Sequence, residues 1–228
     1  MRILVMTKPV PDPAANAERL GGEVAILTMA PTTGVETMRK ALAMGATRGV
    51  LVADDALAGA DIPTTIRVLA AAAATQEFDL LLGGLDTSDG AGGAVTAGVA
   101  ARLGLPLVSA AALIEPDEAS RAVRVRRLSA KGYDVLEAPM PAVISCTQAL
   151  GTPRYPTLKG IMSARSRQIT TLSLADLGGE LLPPDGQWPS RVLGVQPPPG
   201  RAAGRTITGA AADAAREIAD FLADRRLI

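Results

Sequence analysis

The run Gly83-Gly84-Leu85-Asp86-Thr87-Ser88-Asp89-Gly90-Ala91-Gly92-Gly93 is the stretch of this chain best suited to hold an anion. Glycine lets a backbone approach a ligand closely, and the free N–H groups of a following helical turn supply donors without any cationic side chain. The apolar run Phe78 to Leu82 precedes it, and Val95, Val99 and Leu103 follow at helical spacing, so the loop joins a strand to a helix amino terminus. Phosphates bind at such junctions. Tight strand-to-helix connections also use glycine for geometry alone, so the loop by itself leaves nucleotide binding open.

A second segment, Gly151 to Arg165, gathers Arg154, Tyr155, an isolated Leu158, Lys159, Ile161, Met162 and Arg165 outside the periodic core pattern. It reads either as a recognition surface or as an ordinary loop leading into a solvated basic helix. The bulk composition removes several chemistries. No histidine is present, which excludes Ser-His-Asp hydrolysis and imidazole metal ligation. The single cysteine, Cys146, lies in an apolar run and is expected to be a buried, inert thiol; disulfide scaffolds and cysteine-based zinc sites are excluded.

With 23 basic and 23 acidic residues the net charge is zero, so no broad attraction to nucleic acid or anionic membrane is expected. The amino terminus is too short in its apolar part, and too soon followed by proline, for a signal peptide or membrane span. A cytoplasmic protein without membrane insertion is expected.

The elements that must position these residues follow from periodicity. Arg2 to Thr7 reads as a buried strand ended by the prolines at 9, 11 and 13, and Glu23 to Met29 as a second strand. A helix opens at Pro31-Thr32-Thr33, where Thr33 and Glu36 have capping-box spacing and Val35, Met38 and Leu42 form the buried stripe. Gly49 to Ala53 is a third strand, and Asp61-Ile62-Pro63 caps a helix reaching about Gln76. Phe78 to Leu82 and Leu105 to Ala110 are the fourth and fifth strands, separated by the helix that Gly104 stops.

Strands alternating with helices imply a doubly wound, mainly parallel α/β sheet. Ala122 to Leu128 and Tyr133 to Ala138 then flank Ser129-Ala130-Lys131-Gly132 as a β-hairpin, and Ala142 to Thr147 adds another apolar strand. From Gly178 to Arg205 the chain is rich in Pro and Gly and should be an extended arm. A helix from about Thr208 to Arg225 ends it, with Ala211, Ala215, Ile218 and Leu222 on one face. Residues 1–177 therefore read as one α/β domain containing the segment 151–167, and 178–228 as arm and helix.

The order of motifs resembles the beta subunits of electron-transfer flavoproteins. Five stretches carry the resemblance: Leu4 to Asp12 (LVMTKPVPD), the RKALAMGATRGV core within Glu36 to Val50, Thr87 to Gly93 (TSDGAGG), Pro139 to Cys146 (PMPAVISC) and Pro153 to Leu177 (PRYPTLKGIMSARSRQITTLSLADL). The last is the most specific, and the match is to a short, divergent, actinobacterial-like member.

The resemblance implies a sheet of the adenine-nucleotide alpha-hydrolase-like type and a heterodimer, whose alpha subunit holds most of an FAD and is embraced by the carboxyl-terminal arm and helix. It implies an electron carrier, not an enzyme, passing electrons from flavin dehydrogenases of the acyl-CoA type to a membrane quinone oxidoreductase. It also implies AMP in the beta subunit, carried over to Thr7, Lys8, Met29, Ala30, Asp89, Gly90, Ala91, Gly92 and Gly93. Leu158 becomes the anchor for the dehydrogenase, flanked by Arg154, Tyr155, Ile161 and Met162, with Lys159, Arg165 and Arg167 as a polar rim.

Three positions depart from the family pattern. Only Pro13 to Gly22 separates the first two strands, Ala91 and Gly92 replace side-chain donors in the phosphate loop, and Thr152 stands where a glutamate usually precedes the Pro-Arg pair. Each lost hydrogen bond, at about 1 kcal/mol, would weaken AMP several-fold. Three alternatives stay open: an electron-bifurcating type with a second FAD in place of AMP, an ATP-dependent synthetase of related fold, and a nucleotide-free subunit that only scaffolds its alpha partner. The second rests on Gly83-Gly84-Leu85-Asp86-Thr87, similar to the SGGxDS pyrophosphatase loop, although Leu82 occupies its first serine position and the loop follows the fourth strand instead of the first.

Overall fold

A computed structural model describes residues 1–7, 22–87, 90–152, 155–178, 180–184, 187–197, 200, 204 and 206–228. Lys8, the prolines at 9, 11 and 13, Asp89 and Arg154 lie outside these residues.

Nine strands form one sheet: β1 (Arg2–Met6), β2 (Glu23–Met29), β3 (Arg48–Val52), β4 (Leu80–Gly84), β5 (Leu107–Asp117), β6 (Ala122–Ser129), β7 (Gly132–Pro139), β8 (Ala142–Cys146) and β9 (Ile169–Leu172). Their spatial order is β7-β6-β5-β8-β4-β1-β2-β3-β9. All pairings are parallel except β5–β6 and β6–β7. The helices are α1 (Val35–Ala43), α2 (Ile62–Ala74), α3 (Val95–Leu103), α4 (Leu158–Ala164), α5 (Leu174–Leu177) and α6 (Ala211–Asp224).

Alternation along the strands builds two cores. On β1, Ile3 and Val5 face one side with Met38 and Leu42 of α1, while Leu4 and Met6 face the other with Val68 and Ala72 of α2 and Val99 of α3. Covering both faces explains why these strands read as unbroken apolar runs. The expected doubly wound, mainly parallel α/β sheet is what forms, and it does not close into a barrel.

Asp61 caps α2 as its position suggests, accepting from the Thr64 N–H at 2.9 Å. The capping box expected at Thr33 and Glu36 is absent: residues 32–34 form a 3₁₀ turn, and Gly34, without a side chain, occupies the cap of α1. Val35 is only half-buried beside the buried Met38 and Leu42.

The fifth strand differs most from expectation, running to Asp117 instead of stopping near Ala110. Its first part pairs with β8, and beyond a bulge at Ala110 (φ 58°) it finds a second partner in β6. The Ala110 N–H left over by that bulge donates to the Ser145 hydroxyl at 3.1 Å. Buried Asp79, just before β4, accepts from the Arg2 N–H at 2.7 Å and from Arg121 Nη1 at 2.6 Å, fastening β1 and the hairpin entry to β4. Cys146 is buried as expected.

The chain divides into two compact units, Met1–Arg191 and Val192–Ile228. Unit 2 contains α6, on which Ile218 and Phe221 are exposed. Among the described residues no helix is long and apolar enough to cross a membrane.

Candidate functional site

The strand order places β1 between β2 and β4, so the chain winds one way through β2 and β3 and the other way through β4 and β8. In open parallel sheets ligands bind outside the carboxyl ends of the strands at this reversal. Here that crevice opens between Thr7, after β1, and Gly84, at the end of β4. Thr7, Met29 and Ala30 are half-buried along its rim. The amides of Thr7 and Ala30 continue the sheet, donating to Leu27 O at 2.9 Å and Val52 O at 3.1 Å. The Thr7 and Thr28 hydroxyls share a hydrogen bond of 2.7 Å.

Across the crevice, Gly83 and Gly84 belong to β4, where Gly84 pairs with Cys146. A side chain at Gly83 would overlap Thr96 and come within 2.9 Å of Met6 Cε, so this glycine is required by close helix–strand packing. The Thr96 hydroxyl donates to Gly84 O at 2.8 Å, seating the first turn of α3 on the strand end.

The helix cap, Ala94, offers no side-chain acceptor and the first turn carries no acidic residue. The amides at the start of α3 therefore point outward without a helical partner, beside a positive dipole end. That donor set suits a phosphate. Gly93 (φ 57°) and Ala91 (φ 43°) both adopt left-handed backbone, and the Ala91 N–H turns back to Thr87 O at 2.9 Å.

Asp86 carries a role that the spacing of glycines did not reveal. Its Oδ1 accepts from the Thr87 N–H at 2.7 Å and from the Gly93 N–H at 3.2 Å, so one carboxylate closes the loop from within and removes Gly93 from the donors left for a ligand. The available signal was the tendency of Asp to bond nearby backbone in turns. Thr7, Met29 and Ala30 lie at the carboxyl ends of β1 and β2, and Gly90, Ala91, Gly92 and Gly93 follow β4, the other neighbour of β1, so both groups leave the same edge of the sheet.

The second group of sequence candidates lies elsewhere. Thr157 caps α4 by accepting from the Gly160 N–H at 3.0 Å, which makes Leu158 the first helical residue. Leu158 is 76% exposed, Met162 66%, Ile161 43% and Tyr155 93%. Lys159 and Arg165 are exposed too. Spacings of three, four and seven residues put Leu158, Ile161, Met162 and Arg165 on one outward stripe.

Arg167 departs from its expected place on the rim. Its Nη1 donates to Gly45 O at 3.1 Å and to Ala46 O, so it faces inward. Because α1 runs back from the carboxyl edge to the start of β3, this contact sets α4 toward the opposite, amino edge of the sheet.

Comparison with known proteins gives this arrangement a context. The family model for the electron transfer flavoprotein domain matches residues 14–177. The "Electron transfer flavoprotein subunit beta" of Mycobacterium leprae is 36% identical over 212 residues, spanning 91% of this chain and 77% of that protein. The subunit beta of Thermoanaerobacterium thermosaccharolyticum is 30% identical over 214 residues, 92% of this chain and 81% of that protein. "Caffeyl-CoA reductase-Etf complex subunit CarD" of Acetobacterium woodii is 34% identical over 197 residues, 84% of this chain and 73% of that protein.

Proposed function

Because the chain belongs to the electron transfer flavoprotein family, among its beta subunits, we propose that it pairs with an alpha subunit and carries electrons through an FAD held mainly by that partner. The observation that carries this reading is similarity to subunit beta proteins along 91% of the chain. The FAD would supply the redox chemistry; this chain would supply a wall of the site, a bound nucleotide and a docking surface.

The crevice at the chain reversal fits AMP. Amides at the start of α3 face a phosphate, Gly90, Ala91 and Gly92 let it approach, and Thr7, Met29 and Ala30 border the nucleotide. Lys8 and Asp89 complete the assignment from outside the described residues. A single phosphate suits the site because Asp86 already takes two loop amides.

The stripe Leu158, Ile161 and Met162 docks a flavin dehydrogenase of the acyl-CoA type, with Tyr155, Lys159 and Arg165 around it; Arg154, assigned to the same surface, lies outside the described residues. An apolar anchor with a charged border gives specificity from little area and still releases quickly. Electrons then leave to a quinone oxidoreductase. Residues 178–228 embrace the alpha subunit, the exposed Ile218 and Phe221 supplying apolar contact. The setting is cytoplasmic, and fatty acid oxidation is the process served.

A second reading, with FAD replacing AMP in the crevice and electron bifurcation as the activity, is favoured by the 34% identity to subunit CarD. One experiment separates them: co-expression with the alpha subunit, denaturation, and quantification of released nucleotides by mass spectrometry. One FAD and one AMP per heterodimer is the expected result, and two FAD favours the second reading. A stable monomer that never acquires a flavin-bearing partner overturns both. Turnover of ATP to AMP and pyrophosphate by the isolated chain would restore the synthetase alternative.

A further inference from the structure

Helix α4 has only seven residues, too few to persist without tertiary support. Two arginines supply that support in opposite directions. Arg39 of α1 reaches the end of α4, where its Nη1 donates to Ala164 O and Arg167 O, each at 2.6 Å. Arg167 reaches back to the end of α1 through Gly45 O and Ala46 O. Each guanidinium sits at or just past a helix carboxyl terminus, where a positive charge is favoured: Ala164 O ends α4, and Arg167, Gly45 and Ala46 lie in the segments that follow the two helices. Between the clamps, Gly160 lies against α1 so closely that a side chain there would overlap the Ala43 carbonyl. The inner side of α4 is thus held at three points, which set the direction of its exposed stripe.

We propose that Arg39 is a positioning residue for partner docking: it touches no partner, but by holding α4 through the two carbonyls it fixes the direction in which Leu158 and Met162 project. This rests on the reading of α4 as the docking helix. Releasing the clamp leaves the same apolar residues on the surface but lets the helix fray, so that the partner must select the competent orientation from several.

The test is a double-mutant cycle on the heterodimer with its alpha subunit, reduced by an acyl-CoA dehydrogenase and its acyl-CoA substrate. Arg39→Met should raise KM for the heterodimer about tenfold with kcat little changed, the size expected for losing charge-assisted hydrogen bonds that pre-order a contact. Flavin per heterodimer should match wild type, while amide exchange of residues 161–165 accelerates. In the Leu158→Ala background the same substitution should add less than about twofold, since residues acting as one unit are not additive.

A wild-type KM for Arg39→Met beside a raised KM for Leu158→Ala would refute the positioning role alone, as would fully additive losses. No effect of Leu158→Ala would remove the docking reading and this proposal with it. If Arg39→Met yields no folded heterodimer, Gly160→Ala enters the same cycle, with the same expectations, because it displaces α4 without touching its outer face.

Discussion

At the carboxyl edge of the sheet the groups offered to a ligand are backbone amides set in place by glycine, whereas on α4, toward the amino edge, they are apolar side chains held out by a helix that arginines fasten down. The difference is one of vulnerability. A site made of main chain tolerates changes of side chain until one of them moves the backbone, whereas a surface made of side chains loses its function with the side chain itself. Substitutions should therefore act sharply and locally on α4, and at the crevice only where packing forces the loop to shift.

The largest contrast comes from Leu158→Ala, expected to lower kcat/KM for dehydrogenase-driven reduction about 30-fold, the scale of an interface hot spot, with nucleotide content unchanged. Steady-state kinetics beside mass spectrometry checks both halves. A fall in bound nucleotide would break the comparison.

Gly83→Ala comes next. Its new side chain collides with Thr96 and Met6, so overpacking of about 1–3 kcal/mol should lower the melting temperature and loosen the start of α3, releasing nucleotide. Thermal denaturation with nucleotide quantification is the measurement.

Asp79, which fastens β1 and the hairpin entry to β4, gives a pH-dependent control. Burial pushes its carboxyl toward the neutral form, but hydrogen bonds from Arg121 and the Arg2 amide, with the charges of both arginines, hold it below the ordinary 3.8. A depressed carboxylate contributes stability above its unfolded pKa and loses it as pH falls through the folded value. Asp79→Asn should therefore cost about 1–2 kcal/mol at neutral pH and progressively less below about pH 4, read from urea midpoints across pH.

Asp86→Ala should cost about 1 kcal/mol of loop order through its two amide partners and reduce nucleotide retention several-fold, with docking kinetics unaltered. The smallest effect is expected at Gly92, where among the described residues an added Cβ meets just the Ile62 side chain, closest at its movable Cδ1 end, 2.5 Å away. Gly92→Ala should change stability by less than about 0.5 kcal/mol. Thermal denaturation of the nucleotide-free protein checks this, and a large loss there would mean that Ile62 cannot yield.

Periodicity was enough to read the alternating strands and helices, because burial on both faces writes itself as apolar runs and capping as Asp61-Ile62-Pro63. The position of the glycine loop between strand and helix was legible for the same reason. Contacts between residues far apart in the chain were not: Arg39 and Ala164 are separated by 125 positions, and an arginine on a helix looks solvated until its carbonyl partners are known. Arg167 was misplaced on the rim for that reason. The overlong fifth strand escaped because its second half belongs to a different partner, which no local pattern encodes.

The register of β9 against β3 carries a consequence for how the polypeptide is made. Residues Ile169–Leu172 pair with Gly49–Val52, a strand synthesised long before them. Until that late segment emerges, β3 is the border of the nascent sheet and its bare amides can template wrong pairings; β9 then replaces it with an edge of only four residues. Ribosomal stalling upstream of Ile169 should accordingly yield chains that depend more on chaperones than chains arrested far enough beyond Leu172 for β9 to have left the ribosome.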